Sequence, residues 1–141
     1  MRNILMVVTL ALGATCTHAQ KLNEQQVPAV VKAALTKAYP AAKDIKWDKE
    51  EGKYEASFDL NKTDHSVLFE ADGKIAQTEV EIELNQLPKG VVEYIQSHYK
   101  EKAKEAAKIT DANGTVTFEA EIKGKDLIFD TNGKFVKEMK D

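Results

Sequence analysis

The residues best placed to do chemistry in this chain are carboxylates that alternate with apolar residues. Glu55, Ser57 and Asp59 alternate with Tyr54, Ala56 and Phe58; Glu79, Glu81 and Glu83 alternate with Val80 and Ile82; Glu119 and Glu121 alternate with Phe118, Ala120 and Ile122. A period of two puts each set of acids on one face of a β-strand and its apolar neighbours on the other. If helices cover the apolar face, the acids line the uncovered one. Ordinary solvation of an outer sheet face is the plain reading. The functional reading is an acidic surface that draws in a basic partner or cations, raising association rate more than affinity. The candidate binding residues are therefore Glu55, Glu79, Glu81, Glu119 and Glu121, with Trp47 as a sixth. Trp47 shares the apolar phase of Ile45 and belongs in a core, unless its strand lies at a sheet edge, where a tryptophan serves as an anchor for a partner.

No catalytic set accompanies these acids. His18 lies in the N-terminal apolar segment, His98 on an apolar helix stripe and His65 at a strand start, and this scatter has no metal-ligand spacing. Asp111-x-Asn113-Gly114 has some of the letters of a calcium loop, but its glycine comes too early and Ile122 stands where the closing glutamate belongs. Phosphate-binding glycine loops, nucleophile elbows and zinc-protease motifs do not occur. A carboxylate hydrolase would need two acids at a set separation, which a linear sequence cannot provide. The expectation is a chain without cofactor or catalytic residues.

The elements that hold these residues repeat at a spacing of sixty. Val27, Val30, Val31, Ala34, Leu35 and Ala38 follow the i, i+3, i+4, i+7 pattern of a helix, with Pro28 in its first turn and Pro40 stopping it. Leu87, Pro88, Val91, Tyr94, Ile95, His98 and Tyr99 match positions sixty residues earlier, and Lys100 in place of Pro40 lets the second helix run further. Four strands are predicted after each helix: 44–49, 54–60, 65–70 and 74–84, then 106–110, 115–122, 126–130 and 134–139. Asn61 to Asp64 reads as a loop. Asp72-Gly73 and Asn132-Gly133 follow the apolar runs Val67 to Phe69 and Leu127 to Phe129, a signal for hairpins with type I′ turns.

The chain opens with Arg2, a short apolar run from Ile4 to Leu12, and Thr17-His18-Ala19 as a cleavage site, the layout of a secretory signal peptide over residues 1–19. The one cysteine, Cys16, falls inside it; lipidation there is disfavoured by Gly13 and Thr15, and after cleavage no thiol remains for a disulfide or a nucleophile. Cleavage removes Arg2 and no acid, so the net charge moves from −3 to −4, against nucleic-acid binding. No later segment is long and apolar enough to cross a membrane as a helix.

Val27-Pro28, Tyr39-Pro40, Trp47, Tyr54-Glu55, Phe69 to Lys74 and Glu79, with Leu87-Pro88, Tyr99, Phe118-Glu119 and Phe129 to Lys134 in a second copy, resemble the PepSY-like, β-lactamase-inhibitor-protein-like secreted proteins of Bacteroides-type bacteria. The second copy departs from the pattern at Lys100 and Phe118 and lacks the tryptophan. The resemblance implies an α+β fold of two tandem helix-plus-four-strand antiparallel repeats, about 23–84 and 85–139, forming one curved sheet with helices on one face of a single domain, 20–141. It implies a periplasmic or secreted place and brings no catalytic residues. The resulting expectation is a non-catalytic binding module that uses the uncovered sheet face, with inhibition as one role open to it, and whose partner is an envelope or secreted protein. The alternative is a carrier or sensor that takes a small ligand or cation in a cleft between the repeats.

Overall fold

The structure, a computed structural model, describes residues 19–140. The expected signal peptide, 1–19, lies outside the described residues apart from Ala19. The class is α+β, and the Cα positions divide into two compact units at Thr78 and Glu79.

In the first unit, helix α1 (Ala29–Ala38) lies against strands β2 (Lys43–Glu50), β3 (Lys53–Leu60) and β4 (Thr63–Phe69), which pair antiparallel in sequence order. Val27, Val31 and Leu35 point down at four-residue spacing, and they pack with Trp47, Ala56, Phe58, Val67 and Phe69. The buried stripe is narrower than the sequence pattern: Val30 is 49% exposed. The helix stops where Pro40 requires, with the Tyr39 N–H donating to the Leu35 carbonyl at 2.7 Å. A short strand, β1 (Gln20–Leu22), pairs with β2 outside Trp47. The sequence reading omitted this strand, because three residues carry too little periodicity to register.

Strand β5 (Ile75–Ile82) runs across the division between the units. In the second unit, α2 (Val91–Tyr99) buries Val91 and Ile95 against β6 (Glu105–Asp111), β7 (Val116–Ile122) and β8 (Lys125–Phe129), with β9 (Phe135–Lys140) beyond. The expected extension of α2 does not occur: Lys100 adopts φ 57°, a left-handed residue that ends the helix as glycine usually does. A 3-10 turn, Leu84–Gln86, precedes α2, and Gly90 rather than a polar cap stands at its start.

The turns correct the hairpin expectation. Gly73 and Gly133 are left-handed, while Asp72 and Asn132 are not, so these are three-residue loops closed by Glu70 to Lys74 and Asp130 to Lys134. Two-residue turns with both residues at positive φ occur instead at Glu51-Gly52 and Asn61-Lys62. The second of these falls in the segment expected to be a loop. There, β3 and β4 continue through Asp59↔Asp64 and Leu60↔Thr63 before the chain turns.

Both three-residue corners rest on the chain at the start of a helix, on Val30 in the first turn of α1 and on Lys89 just before α2. A Cβ on Gly73 would lie 3.0 Å from the Val30 carbonyl oxygen, and one on Gly133 only 2.5 Å from that of Lys89, whereas one on Gly124 would meet nothing within 4 Å. Gly124→Ala should therefore cost about 1 kcal/mol, the left-handed penalty alone. Gly73→Ala should cost more, and Gly133→Ala the most, on the order of 3 kcal/mol. Urea denaturation of the three variants checks the order, and equal losses would mean that the corners do not bear on the helices.

Candidate functional site

Alternation put the carboxylates on the correct face of the strands but not in the expected environment. Glu55, Glu79 and Glu119 are 4%, 1% and 5% exposed, and Glu81 and Glu121 are half-buried. This corrects the picture of a solvated acidic face at the first three positions. Period two specifies a face; depth depends on which neighbours the strand register supplies. Glu55 stands across from Leu68 and accepts a hydrogen bond from the Ser66 hydroxyl at 2.5 Å, while Glu119 lies between Ala107 and Ile128. Trp47 is 5% exposed and tilts against Phe69 at 6.4 Å between ring centres. β1 covers the flank that would have made its strand an edge, so Trp47 is a core residue and not an exposed anchor.

Register gathers acids that sequence reasoning had left apart. Glu105, Glu121 and Asp126 stand directly opposite one another across β6, β7 and β8. Neither Glu105 nor Asp126 was a candidate. Asp126 lies at i−2 from Ile128, in the same phase, but only the pairing shows that it meets Glu121.

A second concentration of polar groups surrounds a cavity of about 460 Å³ in the first unit. Phe58, Leu60 and Ala41 supply apolar surface, and His65, Asp59 and Asp64 polar surface, with Asp44, Lys43 and Lys46 at the β2 side. The elongated β3–β4 hairpin builds one wall. The other comes from the irregular start of β2, where Asp44 has φ 52° and the pairing shifts between Lys43 and Lys46. The His65 ring stacks on Phe58 (centres 5.6 Å apart, planes 6° apart), with Tyr39 edge-on at 6.1 Å. His65 Nδ1 is buried and has no hydrogen-bond partner among the described residues.

The second unit closes the corresponding place by itself. Phe58↔His65 adjoins Ala56↔Val67 with one pair between, and Ile122↔Lys125 adjoins Ala120↔Leu127 in the same way. The hairpin then turns at once, without the two added pairs. Lys125 takes the position of His65, and its ammonium lies 5.4 Å from the centre of the Tyr99 ring and 3.0 Å from Glu138 Oε1. The Tyr99 hydroxyl donates to Glu138 Oε2 at 2.8 Å; desolvation, with this bond, pushes the phenol up to about 12. Asp111, the calcium-loop candidate, is satisfied within its own turn, accepting from the N–H groups of Asn113 and Thr115. Among the described residues no group of three or more His, Cys, Asp or Glu side chains is arranged to hold a metal ion.

The profile of the family described as "Putative beta-lactamase-inhibitor-like, PepSY-like" matches residues 14–77 and again 53–137. The chain belongs to this family. Among solved structures, a BLIP-like protein from Bacteroides fragilis is 25% identical, with a TM-score of 0.62 over 80% of this chain and 85% of that one. A "putative periplasmic" protein from Bacteroides eggerthii is 20% identical, with a TM-score of 0.68 over 81% and 88%. A DUF2874 family protein from Bacteroides uniformis is also 20% identical, with a TM-score of 0.65 over 80% and 88%. No curated protein matched. The cleft described above lies within the first unit.

Burial holds the His65 imidazole below its ordinary 6.5, against the opposing pull of Asp59 and Asp64. The unfolded chain therefore takes up a proton near pH 6.5 that the folded protein refuses. Stability contributed by neutral His65 is full above that pH and is lost as pH falls toward the lowered folded value. His65→Gln should flatten this loss: urea midpoints measured from about pH 7.5 to about pH 5 should converge for the two proteins toward acid. Parallel curves would show that His65 titrates as it does in the unfolded chain.

Proposed function

We propose that this chain is a non-catalytic binding module of the cell envelope, exported behind residues 1–19, working in the periplasm or outside the cell, and recognising a protein with a basic surface. Residues 20–141 act as a pair of repeats in this reading. The observation that carries it is the row Glu105, Glu121 and Asp126. A basic group on a partner is drawn to acids gathered on adjacent strands. Glu81, Glu105 and Glu121 retain part of their exposure and are the acids such a group reaches. The β-lactamase-inhibitor-like description of the family and the BLIP-like neighbour support a protein as the ligand.

The combined variant Glu81→Gln and Glu121→Gln should lower capture of the partner by about tenfold, a loss of charge pairing at an interface. The variant should still unfold cooperatively, so that a loss of capture reads the surface and not the fold. Crosslinked pull-downs from periplasmic and outer-membrane extract, alongside thermal unfolding, make the comparison. A partner retained equally by wild type and variant would remove the acids from the interface.

A further inference from the structure

We infer that the cleft in the first unit binds a small organic ammonium compound, a single amine carried on an apolar or aromatic body. This goes beyond the protein-binding reading and uses different residues.

The cavity, about 460 Å³, is of the size that encloses small ligands, and it has their usual make-up of apolar surface with a few convergent polar groups. Phe58, Leu60 and Ala41 offer the apolar part. Asp59 and Asp64 form a cross-strand pair of like charges at its wall. Such a pair costs stability, and the fold does not require it. The second unit pairs Ile122 with Lys125 and turns immediately, omitting the two residue pairs that bring these aspartates in. The elongation is therefore an addition to the first unit beyond the needs of its core.

The second unit also shows what belongs at this place. There, the Lys125 ammonium lies over the Tyr99 ring and against the Glu138 carboxylate. In the first unit His65 replaces that lysine, its Nδ1 buried without a hydrogen-bond partner among the described residues, and the carboxylates come from the hairpin. With the proton on the buried Nδ1, the other ring nitrogen of the neutral imidazole can accept one hydrogen bond, which an ammonium N–H can supply. A bound amine thus provides the cation that the second unit carries as its own side chain. Lys43, directly across from Asp59, and Lys46 are exposed on the β2 side and repel a second positive charge, so one amine is preferred to two.

Calorimetric titration of the full mature chain with phenethylammonium tests this, with phenylacetate and 2-phenylethanol as the anionic and neutral counterparts. Phenethylammonium should bind with Kd on the order of 0.1–1 mM, as suits a ligand of nine heavy atoms, and the other two at least ~10-fold more weakly. Asp64→Asn should weaken the amine ~10-fold or more without lowering the melting temperature. Asp59→Asn should act likewise, since its amide oxygen can still accept from the Lys62 N–H and preserve the turn. His65→Phe, which keeps a ring on Phe58, should weaken binding several-fold. Asp111→Asn, in a turn of the other unit, should have no effect. The assignment is overturned if no probe binds, if phenylacetate binds as well as the amine, if lysine-bearing peptides alone bind, or if both aspartate variants fold and retain wild-type affinity.

Discussion

Each helix is held in place by a hairpin corner that touches the chain at the helix's start. Gly73 comes against the Val30 carbonyl and Gly133 against that of Lys89, at separations that leave no room for a side chain. These corners join β4 to β5 and β8 to β9, so the contact ties the height of each helix to the register of its strands. Register in turn decides that Val67 and Phe69, or Leu127 and Phe129, meet the buried helix residues. A slip of one residue would turn Leu68 or Ile128 toward the helix and displace these side chains. The placement of every polar group discussed above follows from that register.

The two units use this common frame and differ at the far end of the central hairpin. In the second unit a short turn, Lys125, Glu138 and Tyr99 complete one another's hydrogen bonds and charges. In the first, the hairpin is two pairs longer, and an imidazole, two aspartates and an apolar floor surround open volume. The difference resides in four residues, Asp59-Leu60 and Thr63-Asp64, and in the left-handed turn Asn61-Lys62 that connects them. Asparagine takes this conformation more readily than most residues, whereas a lysine there is uncommon.

Much of the fold was legible in the sequence because the signals involved are local and periodic. The helices, the strands other than β1 and the faces of Glu55, Glu119 and Trp47 were readable from spacing. The end of α2 at Lys100 was not, because a left-handed lysine carries no compositional signal. β1 was too short to be periodic. The hairpin extension was concealed because Asn61 to Asp64 has the composition of a loop while two of its four residues belong to strands.

The sequence by itself determined which residues share a face, since alternation and helical spacing are properties of the backbone alone. It also determined the family to which the chain belongs and the lack of a recognisable catalytic motif. Only the tertiary structure decided how deeply those faces lie and which side chains meet. Burial of Glu79, the row from Glu105 to Asp126 and the cleft around His65 all depend on partners contributed by other strands. Their register is set by contacts such as that of Gly133 on Lys89, between residues forty-four positions apart in the chain.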